Sequence, residues 1–203
     1  MDKTIEYQLL KKIKKAKGGS LFFVQNFLSI GNAKAVSKAL ERLVANNEVV
    51  RVAVGIYTRP RKSKLLGMML PGIEDVAKAI ARRDKARIVP TGAYALNALG
   101  LSTQVTLNAV YLTDGASRKV KIGRQTIKFK KVSPKNLSAT GDISKLVIQA
   151  LKAIGEGKVE PHEERQILKL LKNEKQIHLE HDIQLAPEWI RIIMRKALKD
   201  DKK

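Results

Sequence analysis

The sequence predicts an α+β protein, with an N-terminal winged helix-turn-helix followed by a mixed α/β domain that carries C-terminal helices. Three observations point there. Residues 31–59, GNAKAVSKALERLVANNEVVRVAVGIYTR, pass from a Gly-Asn turn through a helical pattern into two short β-rich runs around Gly55. Residues 88–132 hold short β-rich runs interrupted by one helical segment. From residue 142 onward, helical periodicity returns.

Taken in order, Ile5, Leu9, Leu10 and Ile13 recur at helical spacing and predict a first helix over 4–17, ended by Gly18-Gly19. Ser20 is a candidate N-cap for a short second helix through Leu28, with Phe23 and Phe27 on one face. Ser29-Ile30-Gly31-Asn32 then makes a turn, in which glycine tolerates positive φ and Asn32 can cap the next helix. That helix, 32–45, has an apolar stripe of Val36, Leu40, Leu43 and Val44, opposite Lys34, Ser37, Lys38 and Glu41. Two helices joined by a short Gly turn are the helix-turn-helix pattern. The β-rich runs over 48–59 supply a wing.

The expected division is a DNA-binding domain over 1–59, a Pro-bounded basic connector over 60–72, and a second domain over 73–203. In the second domain, GIEDVAKAIARRDKA predicts a helix with Val76, Ala77 and Ile80 inward. A brief strand, a helix over Thr91–Leu99 and a strand over Val105–Thr113 follow. SRKVKIGRQTIKFKKV (117–132) predicts a hairpin turning at Gly123-Arg124. One of its faces carries Val120, Ile122, Ile127 and Phe129, and the other Lys119, Lys121, Lys128 and Lys130. Beyond it, Thr140 or Asp142 can cap a helix to Ile154. Helices also fit Glu163–Leu171 and the stretch after Pro187, with Trp189 filling a junction.

Composition narrows the function. The 203 residues include 40 Lys+Arg against 19 Asp+Glu, a formal net charge of +21, which calls for a polyanionic partner. The charge is uneven: 11 Lys+Arg against 4 Asp+Glu over 1–59 (+7), 19 against 6 over 60–159 (+13), and 10 against 9 over 160–203 (+1). The near-neutral C-terminal helices suit a protein contact or ordinary packing. Zero cysteines exclude disulfides, cysteine-zinc fingers and thiol catalysis. Without a spanning apolar run or a signal peptide, a cytoplasmic protein with no membrane partner is expected.

In the winged-helix reading, the 32–45 helix enters the major groove of duplex DNA and the wing lies along the adjacent backbone. Asn32, Lys34, Ser37 and Lys38 then face the groove. Arg42, Arg51, Arg59, Arg61 and Lys62 lie where phosphates pass. Lys119, Lys121, Lys128 and Lys130 form either a second phosphate-contacting surface or a solvated face. Duplex DNA is favoured because a helix fits its major groove and not that of A-form RNA. Aromatics make up only 4% of the chain and offer no stacking platform for single strands.

GIYTRP, the run PTGAYALNALGLSTQV and the apolar strand after it resemble the AbiEi-type antitoxins of bacterial type IV toxin–antitoxin (abortive-infection) systems. The resemblance covers roughly residues 5–135, and its most specific part is Ala95, Asn97 and Leu99 to Thr103. It implies a winged-helix autorepressor whose second domain opposes a nucleotidyltransferase-type toxin. On the residues themselves, Ala95, Ala98, Leu99 and Leu101 are expected to pack, Gly100 to cap, and Asn97 and Gln104 to tie down loops as buried amides.

Candidate chemistry is thin. His178 and His181 sit three apart beside Asp182, but His162 is remote in a Pro-Glu turn, so neither a metal nor a cofactor is expected. No recognised nucleophile, phosphate-loop or dinucleotide motif is present. The expected function is therefore a DNA-binding transcriptional repressor and antitoxin, not an enzyme. A solitary regulator without a toxin and a nucleic-acid-acting enzyme are the alternatives.

Overall fold

A computed structural model describes residues 4–63, 67–104 and 107–199. The architecture is α+β. The chain divides into two compact units, Met1–Ile80 with Val120–Arg124, and Ala81–Lys119 with Gln125–Lys203.

The first unit opens with α1 (Ile5–Lys15), capped by the Thr4 hydroxyl, which accepts from the Tyr7 N–H at 3.3 Å. A strand β1 (Leu21–Phe23) and a 3-10 turn (Val24–Phe27) lead to α2 (Ala33–Ala45). Strands β2 (Val50–Ala53) and β3 (Ile56–Thr58) complete an antiparallel sheet in the order β1-β3-β2. Leu9, Ile13, Phe27, Val36, Leu40 and Leu43 interlock as the core of this unit.

Two expectations change here. The helix expected from Ser20 to Leu28 is instead strand β1 followed by a single 3-10 turn. So short a helix is marginal by itself, whereas pairing of Leu21 with Thr58 and Phe23 with Ile56 satisfies the backbone. Gly31 does not need positive φ and is absent from the left-handed residues. It is small for another reason: a Cβ there would lie 2.9 Å from the Cδ1 of Ile5 on α1.

The expected connector at 60–72 carries a two-stranded antiparallel ribbon, β4 (Arg61–Ser63) and β5 (Gly67–Met69), and residues 64–66 lie outside the described part. Helix α3 (Ile73–Arg83) follows, burying Ile73, Val76, Ala77 and Ile80.

The second unit contains β6 (Ile88–Thr91), α4 (Ala93–Ala98) and β7 (Asn108–Thr113). Residues 105–106 of the strand expected over Val105–Thr113 lie outside the described part. Strands β8 (Arg118–Ile122) and β9 (Gln125–Lys131) complete the sheet in the order β6-β7-β9-β8. Strand β9 thus inserts between the two strands that precede it, parallel to β7, with Tyr111 beside Phe129. Tyr94, Tyr111 and Phe129 form an aromatic ladder with centroids 5.6 and 6.0 Å apart. Asn97 does tie down its loop, donating to the Ser102 and Gln104 carbonyls at 3.1 and 3.3 Å, but from an exposed position and not a buried one.

Helices α5 (Asp142–Ile154), α6 (Pro161–Leu171), α7 (Gln176–Leu185) and α8 (Glu188–Lys199) close the chain. Val147, Leu151, Ile167, Leu171, Ile183 and Ile190 are central to their core, and Trp189 packs half-buried against it. Neither Thr140 nor Asp142 caps α5 with its side chain. The free N–H groups are met from afar: Asp182 accepts from Thr140 and Gly141, each at 2.8 Å, and Glu174 accepts from Ile143 at 2.7 Å. Gly141 is required by this close approach, since a Cβ there would collide with Ser144 and Glu174.

Candidate nucleic-acid interface

Helix α2 shows how local sequence presents a charged surface. The Asn32 side chain accepts from the Ala35 N–H at 2.9 Å, so its oxygen starts the helix. Val36, Ala39, Leu40 and Leu43 turn inward, which leaves Lys34 and Lys38 exposed one turn apart and Ser37 half-buried between them. Among the described residues, neither lysine has an ion-pair partner. Their charges are therefore uncompensated and directed to solvent at the N-terminal half of the helix, where the helix dipole adds a further positive field.

The β2–β3 hairpin turns at Val54-Gly55, with Gly55 at φ +70°. Arg51 is exposed on β2 and pairs in register with Tyr57. Burial pushes the Tyr57 hydroxyl up from its ordinary value; Arg51 works against that shift and Glu41 adds to it. Val54, not singled out from the sequence, is 88% exposed at the hairpin tip. Its position just before a turn glycine is the signal that marks it.

Two of the expected phosphate contacts have partners within the first unit. Arg42 Nε meets Glu6 at 2.7 Å and ties α2 to α1. Arg59 Nη1 donates to the carbonyls of Lys14 and Ala16, at 2.6 and 2.7 Å, and so satisfies the C-terminal end of α1. Arg59 is therefore a capping residue, because the terminal carbonyls of a helix need donors. Arg61 is exposed on β4, while the side chain of Lys62 lies outside the described part.

The β8–β9 ribbon has two unlike faces. Ile127 and Phe129 are buried and Val120 and Ile122 half-buried, whereas Lys119, Lys121, Lys128 and Lys130 are all exposed. Among the described residues, none of the four lysines has an acidic partner. Gly123, at φ +55°, begins the two-residue turn between the strands.

The histidine pair is used structurally. Thr140 Oγ1 lies 2.9 Å from His178 Nδ1, and His181 Nδ1 lies 2.8 Å from the Asp182 carboxylate. Asp182 also accepts from Ser144 Oγ. Among the described residues, no group of three or more His, Cys, Asp or Glu could hold a metal ion, and no helix is long and apolar enough to cross a membrane.

The geometry defines an α+β protein with an unpaired basic helix face in its first unit and an unpaired lysine ribbon in its sheet. A model described as a family of unknown function (DUF6088) matches residues 8–179, and the chain belongs to that family. Comparison with curated proteins finds no match.

Proposed function

We propose that the chain is a duplex-DNA-binding transcriptional autorepressor and the antitoxin of a type IV toxin–antitoxin system. The observation that carries the DNA reading is the uncompensated pair Lys34 and Lys38 on the outer face of α2, next in sequence to a short hairpin bearing Arg51. A helix of this kind fits the major groove, while the hairpin follows the backbone as a wing. The net charge of +21 supports a polyanion as partner. The antitoxin part of the reading rests on the resemblance of 90–105 and its surroundings to the AbiEi type, with a nucleotidyltransferase-type toxin as partner. It further implies residence in the cytoplasm.

The test is binding of the full chain to DNA from its own promoter at several salt concentrations. Replacing Lys34 or Lys38 by Ala should cost about 1–3 kcal/mol if it reads a base, or reduce the salt slope by about one if it touches phosphate. A Lys34→Ala, Lys38→Ala double variant that binds as the parent does at every salt concentration would sink the assignment.

A further inference from the structure

The second unit holds a concavity of about 410 Å³ that the DNA reading leaves unused. Its size falls in the range of about 300–1,000 Å³ typical of small-molecule sites. Lys145, Ile148, Gln149 and Lys152 of α5 line it together with Leu185 of α7 and Arg191 of α8. Lys135 adds a fourth cation, and no carboxylate among the described residues lines it.

Two features separate this concavity from ordinary basic surface. Gln149 is only 9% exposed, yet among the described residues its amide has no hydrogen-bond partner. The rest of the side chain is packed away, so the amide, which solvent reaches, is open to water or to a ligand in the concavity. The cations also divide. Lys145 reaches Asp142, and Arg191 is held by Glu188 at 3.0 Å and the Ala186 carbonyl at 3.1 Å. Lys135 and Lys152 have no acidic partner among the described residues, and the Nε of Arg191 is buried and unpaired. Fixed cations and free ones therefore line one concavity together with apolar side chains and an amide that has no protein partner among the described residues.

We infer that this concavity binds a phosphorylated small molecule of mononucleotide size. The phosphate would lie against Lys135 and Lys152, the flat body against Ile148 and Leu185, and the Gln149 amide would pair with a polar edge of that body. Positive charge alone would accept any anion. The apolar side chains and the amide are what favour an organic body over inorganic phosphate.

Calorimetric titration of the full chain with adenosine and guanosine monophosphates, and separately with inorganic phosphate, tests this. One nucleotide should bind per chain, at least tenfold tighter than phosphate. Lys152→Glu and Gln149→Leu should each weaken it at least tenfold, whereas Lys158→Glu, the same charge change at an exposed site outside the concavity, should leave it unchanged. Lys152 is exposed, so its variant keeps the fold even if Gln149→Leu disturbs packing. Absence of saturable nucleotide binding overturns the proposal. So does equal affinity for phosphate, or equal weakening by Lys158→Glu, since either outcome reduces the effect to general charge.

Discussion

Asp182 has no solvent exposure and is hydrogen-bonded from several sides. Burial alone would push its carboxyl up. The hydrogen bonds from Ser144, the Thr140 N–H, His181 and the Gly141 N–H outweigh that and hold it below the ordinary carboxylate range. Asp182→Ala should therefore lower unfolding stability by about 2–4 kcal/mol in urea titrations at neutral pH, since each buried donor left unmet costs roughly 1–3 kcal/mol. The sign of the pH dependence follows from the lowered value. The carboxylate's contribution is complete above its unfolded value near 4, and it is lost as pH falls through the lower folded value. The gap in stability between the parent and Asp182→Asn should accordingly close in acid. A gap that stays constant from neutral pH down to about pH 2 would show that the charge of Asp182 is not what holds the α5 terminus. At this scale, legibility follows sequence distance. The Asn32 cap acts three residues away and is readable, whereas Asp182 acts on Thr140 across 42 positions, and no local pattern announces that.

The same distinction holds for whole elements. The β8–β9 ribbon is legible because its alternation and its glycine turn are local. Strand β1 is not, because LFF becomes a strand only through β3, more than thirty residues later. Helix α7 escapes a sequence reading because QIHLEHDIQL has almost no amphipathic contrast; its neighbours α5 and α8 make it a helix. The ribbon carries a prediction. Changing Lys119, Lys121, Lys128 and Lys130 to Gln leaves the buried face intact, so the fold should survive. If the lysines contact phosphates, affinity should fall equally for promoter and unrelated duplexes, because phosphates carry no base identity. The salt slope should drop by about 0.9 for each phosphate no longer neutralised. Unchanged affinity and slope would make this a solvated face, screened by water against the repulsion of like charges across strands.

Across the whole molecule, charge is the strongest organising feature. Residues 60–159 carry +13 while 160–203 carry +1, so the excess positive charge lies before residue 160. If the chain is both repressor and antitoxin, the two activities should separate by mutation. A cut in the 60–72 segment is a poor way to show it. That segment carries the β4–β5 ribbon, and Val120–Arg124 groups with the first unit, so a fragment starting near Met69 would lose part of what those residues pack with. Point changes in the full chain avoid this. The Lys34→Ala, Lys38→Ala variant alters two exposed side chains without partners, so it should fold normally, fail to bind its promoter, and still protect cells from the cognate toxin. Protection is measured by co-expressing the adjacent gene product from a foreign promoter, so that lost repression cannot affect survival. Protection lost together with DNA binding, in a variant that remains folded, would place toxin opposition on α2 and refute the division. An adjacent gene product that is harmless to cells would instead leave the DNA reading intact and make the protein a solitary regulator.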